Sequence, residues 1–189
     1  EKIHLCAQAM KLAFSDRIKY FGDPNVIDVP LEELLSKEKS VKMRDKIDKG
    51  KLNNLLNPKE LIGDYNTTYS TIVDKEGNGV SFILSLFTSF GTGITIPNTG
   101  IILNNRMIGF SLNEKHPNSL KAKKKPIHTL NSYMLLRNNE LYLTGGSPGA
   151  DLQTQINLQV ITNVVDHKLD LQTSIELPRW NVFPGTLPW

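Results

Sequence analysis

The sequence predicts an α+β fold on three features: an amphipathic helical period at its start, a β-branched and turn-rich middle, and a glycine-rich turn opening a second apolar-periodic helix. A chain of 189 residues suits one domain with a buried core, or one domain with an extension. Hydrophobic residues make up 39% and charged residues 22%, which excludes the composition of a disordered chain. The formal net charge is only +3, so bulk charge gives no reason to expect nucleic acid as a partner. Cys6 is the sole cysteine, which excludes an internal disulfide and a cysteine-based zinc cluster. No stretch approaches the roughly 20 apolar residues of a membrane helix, and Glu1 to Cys6 lack the character of a secretory leader. The chain reads as a piece of a longer polypeptide.

In chain order, Ile3, Ala7, Met10, Phe14, Ile18 and Phe21 recur every three to four residues, predicting a helix with one buried face that Gly22-Asp23-Pro24 ends. Leu31 to Lys51 is highly charged, with Leu34, Leu35, Met43 and Ile47 as anchors, and is expected to be helical and largely solvated. Gly50 to Tyr65 has loop composition, a linker ending near Asn66. Thr67 to Val73 is β-branched and aromatic, Asp74 to Gly79 is turn chemistry, and Val80 to Leu86 completes a hairpin. Further strands are expected at Gly100 to Leu103, Ser132 to Leu136 and Glu140 to Thr144, the last two joined by Arg137-Asn138-Asn139. Beyond the turn Gly145 to Ala150, a helix presents Leu152, Ile156, Val160 and Val164 as its face, flanked by Ile161 and Val165.

Read for chemistry, a glycine turn entering a helix directs backbone N–H groups and a positive dipole end at whatever lies above Gly149 and Ala150. That suits an anion or a developing oxyanion, and equally an ordinary strand-to-helix turn. It is not a phosphate loop, because no Gly-Lys-Ser/Thr follows and Asp151 would repel phosphate. Lys115, Lys121, Lys123, Lys124 and Lys125 form a basic loop without interleaved aromatics, which reads as a solvated connection. His4, His116, His128 and His167 have no metal-ligand spacing, so no metal and no cofactor is expected. Ser147, His128 and Asp151 are the nearest approach to a triad, but Ser147 lies outside any G-x-S-x-G elbow. Thr67-Thr68, taken alone, is a pair of good strand formers.

Taken in order, these segments resemble the γ-glutamyltransferase (glutathione hydrolase) family of N-terminal-nucleophile hydrolases. Ala9 to Arg17 and Gly22-Asp23-Pro24 are similar to the end of that family's large subunit. Gly63-Asp64, Thr67-Thr68, Val73 to Asn78, Phe90 to Ile94, Thr99 to Asn105 and Gly146-Ser147-Pro148-Gly149 follow the order of its small subunit. The resemblance covers nearly the whole chain; the family's long N-terminal portion and last strands have no counterpart in it. It implies a four-layer αββα sandwich, with 1–66 as the end of a large-subunit-like segment and 67–189 as most of a small-subunit-like one. The two subunits would associate after self-cleavage between Asn66 and Thr67. A threonine hydroxyl is a poor nucleophile until a base takes its proton, and the α-amine freed by cleavage, with a pKa near 8, is such a base on the same residue.

The resemblance further implies that Thr67 attacks a γ-glutamyl or related acyl amide, with water, an amine or a peptide as acceptor. Gly149 and Ala150 would supply the oxyanion hole, Ala150 standing where the family has a second glycine. Ser85 stands where the family has a threonine bonded to the nucleophile. The acyl pocket departs from the family pattern. Phe87 replaces an Asn or other polar residue, Arg106 a Gln or Glu, Gly109 the Asp that pairs with the substrate ammonium, and His128-Thr129 a Ser-Ser pair. A buried ammonium left without its carboxylate costs several kcal/mol. Arg106, His128 and Thr129 are therefore the substrate-binding candidates, and an acyl group without the amine, as in glutaryl or cephalosporin acylases, is the alternative. A catalytically silent relative is a further one. The segment from Ser111 to Pro126 is shorter than in members with a lid loop, which implies an open site.

Overall fold

The computed structural model describes residues 1–50 and 65–182. The expected linker and the Gly63-Asp64 pair lie outside the described residues. The chain divides into two compact units, one formed by Glu1–Leu61, Met107–His128 and Val182–Trp189, the other by Ile62–Arg106 and Thr129–Asn181.

In the first unit, helix α1 (Lys2–Tyr20) is followed by the short helices α2 (Leu31–Leu35) and α3 (Lys37–Arg44). The α1 period is as predicted, but it buries two patches rather than one stripe. Phe14 is deeply buried with half-buried Ala7, Met10 and Ile18, while Gln8 and Leu12 are buried on another side and Ile3 is exposed. The second patch exists because Leu12 shares a hollow with Leu34, Met43 and Ile47. Three of the four expected anchors thus face α1; Leu35 is 82% exposed instead. The Ser36 hydroxyl caps α3 by accepting from Lys39 N at 3.0 Å.

Gly22 ends α1 where no side chain fits, since a Cβ there would lie 2.6 Å from the Pro117 carbonyl oxygen. Asp23 then ties in the basic loop by accepting from Lys125 N at 2.8 Å, and these backbone bonds hold its carboxyl below the usual range. Lys124 departs from the expected solvated connection. It is buried and donates to the Pro117 carbonyl at 2.5 Å, and burial lowers its pKa.

The second unit contains two antiparallel hairpins, β1 (Tyr65–Val73) with β2 (Gly79–Thr88) and β3 (Ser132–Arg137) with β4 (Glu140–Gly146). Asp74 shapes the first turn by accepting from the backbone N–H groups of Glu76 and Asn78. Asn138 and Asn139 both adopt positive φ, 54° and 66°, as a two-residue turn matched to strand twist requires. Tyr69 joins the hairpins, its hydroxyl within 2.9 Å of Ser81 Oγ and 3.0 Å of Thr144 Oγ1. The expected strand at Gly100 to Leu103 is only an isolated bridge, Thr95 to Ile102. Positive φ at Gly91, Gly93, Asn98 and Gly100 keeps the backbone there from extending.

Helix α4 (Leu152–Val165) lies where expected, but its apolar face is not its most buried part. Leu152, Ile156, Val160 and Val164 are half-buried, whereas Gln153, Gln155, Asn157 and Gln159 are buried. Side-chain amides account for this. Gln153 Oε1 accepts from Asn131 N at 2.8 Å, and Asn157 donates to Asn131 O at 3.0 Å. Gln159 donates to Trp180 O and accepts from Trp180 N, at 2.8 and 3.0 Å. The helix therefore clamps the start of β3 and the segment beyond α5 (Leu171–Glu176) through hydrogen bonds that offset the burial of polar groups.

Candidate functional site

The Asn66–Thr67 bond lies at an irregularity in the first hairpin. Asn66 pairs with Phe87 and Thr68 with Leu84, so β2 carries one extra residue opposite Thr67. β1 itself stays regular, and Thr67, Tyr69 and Ser81 share the face that turns toward the second hairpin. The bulge aims Ser85 at the neighbouring peptide group. Its hydroxyl donates to the Asn66 carbonyl at 2.7 Å and accepts from Phe87 N at 2.9 Å. Because the Phe87 N–H occupies an oxygen lone pair, the serine proton is directed at Asn66. Phe87 pays for this with φ = 82°, rare for a bulky residue. A hollow of about 330 Å³ beside the bond is lined by Asn66, Thr67, Leu84, Ser85, Phe90 and Ile102.

The glycine turn is registered against this strand by one aromatic contact. A Cβ on Gly146 would lie 2.5 Å from the Tyr69 ring, so only glycine lets the ring close on β4. Tyr69 is two residues from Thr67 on the same face, and Gly146 is three residues before Gly149. Contact between them therefore fixes the start of the turn against the strand that carries Thr67. Gly149 and Ala150 have φ of 117° and 50°, and neither N–H donates to a described backbone carbonyl. The next two amides are used, Leu152 N to Gly149 O and Gln153 N to Ala150 O. Ala150 in the left-handed region is strained by about 1–2 kcal/mol relative to a right-handed alanine. Ala150→Gly should therefore stabilise the unprocessed chain by up to ~1 kcal/mol in denaturant unfolding, the rest being lost to glycine's greater unfolded-state entropy.

Arg106 closes the same unit. Segment 104–106 docks on the end of β2, Asn105 N donating to Leu86 O at 3.1 Å and Asn105 Nδ2 to Thr88 Oγ1 at 2.6 Å. This sets the Arg106 guanidinium 4.7 Å above the Phe87 ring centroid and lets Nη1 donate to Thr129 Oγ1 at 3.0 Å. The residue is only 9% exposed. Burial pulls the guanidinium pKa below its ordinary value, and the charge of Asp151 acts against that pull.

Of the residues singled out from sequence, Asn66, Thr67 and Ser85 meet at the bulge, Gly149 and Ala150 form the turn, and Arg106 meets Thr129. His128 is exposed and belongs to the other unit. Ser147 does not enter a triad: its buried Oγ has no hydrogen-bond partner among the described residues. Ser85 bonds the carbonyl before Thr67 rather than the Thr67 hydroxyl, as the resemblance implied for the nucleophile's partner. Sequence reasoning missed Tyr69, and it named Phe87 in the acyl pocket without its role under Arg106. Tyr69 had a signal in its aromatic ring two positions from Thr67, with glycines later in the chain; Phe87 had none as a platform, because its role depends on the bulge.

A hydroxyl residue at a strand irregularity and a glycine turn opening a helix, both in one unit, are parts that an acyl-transfer site uses. Comparison with known proteins agrees with that class. The gamma-glutamyltranspeptidase family model matches residues 1–187. A glutathione hydrolase-like YwrD proenzyme from Bacillus subtilis (strain 168) is 36% identical over 95% of this chain and 34% of its own length. An oxamate amidohydrolase proenzyme from Klebsiella pneumoniae is 34% identical over 95% of this chain and 34% of its own. The crystal structure of a cephalosporin acylase from Bacillus halodurans superposes with a TM-score of 0.82 and 34% identity, over 95% of this chain and 32% of that one. This chain belongs to the gamma-glutamyltranspeptidase family. It spans about a third of the length of the curated relatives it matches.

Proposed function

We propose that this chain is the part of a larger amidohydrolase that contains both the self-cleavage point and the nucleophile. The full-length protein cuts itself between Asn66 and Thr67, and Thr67 then takes the acyl group of γ-glutamyl amides such as glutathione and passes it to water or an amine. Residues 1–66 end the large-subunit-like segment and 67–189 form most of the small-subunit-like one, and the two stay associated. The fold of the whole is a four-layer αββα sandwich. The apolar residues Ile72, Val80, Phe82 and Leu84, each more than half exposed on one face of the first hairpin, support a further layer there.

The observation that carries this reading is the bond from Ser85 Oγ to the Asn66 carbonyl. When the Thr67 hydroxyl attacks that carbonyl carbon, negative charge develops on an oxygen already facing a donor. Collapse of that intermediate breaks the C–N bond and leaves the Asn66 acyl group as an ester on the Thr67 oxygen; water hydrolyses the ester, releasing the Asn66 carboxylate and leaving Thr67 with its hydroxyl and an amine that can accept the hydroxyl's proton. The same Thr67 hydroxyl then attacks a substrate carbonyl, whose developing charge falls to the Gly149 and Ala150 amides. Intact-mass measurement of active protein should find two polypeptides that meet at residues 66 and 67; a single uncut chain with full activity sinks the reading. Ser85→Ala should slow the cut by about tenfold or more in a gel time course, the loss of one well-placed donor. Cleavage at the parental rate would remove Ser85 from the mechanism.

A further inference from the structure

We infer that the hollow between the end of α1 and the basic loop binds a phosphate group, as inorganic phosphate or as a small phosphate monoester, through Lys19, Lys115, Lys121 and Lys124. The hollow lies wholly within the first unit, and the site does not depend on the role of Thr67.

The first argument is charge. Lys121, Lys123 and Lys125 are exposed, as a solvated loop requires, but Lys124 is only 8% exposed. A lysine so buried is ordinarily matched by an anion. Its ammonium has three donors, and among the described residues one of them is used, by the Pro117 carbonyl. No carboxylate oxygen of a described residue lies within 4.0 Å of it. Lys124 lines a hollow of about 290 Å³ together with Lys19, Lys115 and Lys121. Ser119, 2% exposed, lines the same hollow and brings a hydroxyl that can donate. Asp28 and Glu114 also line it, but neither pairs with these lysines among the described residues, so positive charge is left in excess.

The second argument is the kind of anion and the rigidity of the wall. Ammonium groups are compact charges with rotatable donors, and several of them converging on one hollow suit a tetrahedral anion that carries close to two charges at neutral pH. The planar fork that grips a flat carboxylate is missing, because no arginine lines the hollow. The loop that carries Lys121 and Lys124 is also tied down at several points. Asn118, 1% exposed, donates to Gly109 O at 2.6 Å and accepts from Ile127 N at 3.1 Å. Its own N–H donates to His116 Nδ1 at 3.0 Å, and Asp23 holds Lys125 N at 2.8 Å. A wall fixed in this way loses little freedom when an anion enters.

The test is calorimetric titration of the full-length protein at constant ionic strength with inorganic phosphate, glycerol 3-phosphate and, as the carboxylate control, acetate. One phosphate group should bind per chain with a Kd on the order of 1 mM or tighter, and acetate at least about tenfold more weakly. Whichever of the two phosphates binds more tightly identifies the source of the group. Lys121→Gln, a change at an exposed position, should weaken binding about tenfold, the loss of one charge-assisted contact. Lys123→Gln, in the same loop but outside the hollow, should change it less than about twofold. Asp28→Asn removes a repelling charge and should tighten binding by about two- to fivefold, a gain that misfolding cannot imitate. Thr67→Ala should bind phosphate as the parental protein does, so that this site and the nucleophile stand or fall separately. No saturation by about 10 mM phosphate, equal losses in Lys121→Gln and Lys123→Gln, or acetate bound as tightly as phosphate would overturn the inference. A single-stranded oligonucleotide bound roughly 100-fold more tightly than phosphate, with a steep salt dependence, would overturn it in favour of a polymer-binding loop.

Discussion

Thr67→Ala leaves the full-length protein in one piece and without amide-cleaving activity. Both losses follow from one residue, because alanine has no hydroxyl to attack the Asn66 carbonyl and none to attack a substrate. The fall should exceed ~10³-fold, as for removal of other covalent nucleophiles. Thr67→Ser should keep a measurable part of each step, since serine retains the hydroxyl and, once freed, the amine. Intact-mass measurement follows the first step and anilide hydrolysis the second. A cleaved, active Thr67→Ala protein would end the proposal.

Gly146→Ala should be nearly as damaging to turnover, although Gly146 takes no part in the chemistry. The added methyl would sit 2.5 Å from the Tyr69 ring, so either β4 or the ring has to move. Overpacking of this kind costs about 1–3 kcal/mol of stability. The larger effect is geometric: a displacement of about 1 Å between Thr67 and the Gly149 and Ala150 amides can cost on the order of 10²-fold in rate. Gly146→Ala combined with Tyr69→Leu, which removes the ring, should recover part of that loss. Tyr69→Phe keeps the ring and gives up only the bonds to Ser81 and Thr144, so it should lower stability by about 1 kcal/mol with a small effect on rate. If Gly146→Ala matches the parental rate, this contact does not set the site.

The two hairpins were readable because their signals are local. β-branched runs flank Asp74 to Gly79, and Asn138-Asn139 supplies the residues that tolerate positive φ. The glycine turn and the helix after it were readable for the same reason. The buried face of α4 was not, because its partners Asn131 and Trp180 are 21 to 26 residues away in the chain, and periodicity counts only apolar residues. Thr67 and Ser85 could be placed by resemblance, but the bond from Ser85 to Asn66 depends on one extra residue in β2, which no local pattern marks. Arg106 was legible as a candidate; its platform on Phe87 required a backbone conformation that propensity argues against. The expected strand at Gly100 to Leu103 failed because β-branched residues outweighed, in the reading, glycines that the backbone uses at positive φ.

The clamps on α4 are all carboxamides meeting backbone or other amide groups. Such groups neither gain nor lose protons across the working range of an enzyme, and they carry no net charge for electrolytes to shield. These clamps on α4 are consequently indifferent to acidity and ionic strength. Changes in rate with either variable then report on charged groups such as the freed amine and Asp151, not on a loosening of these clamps.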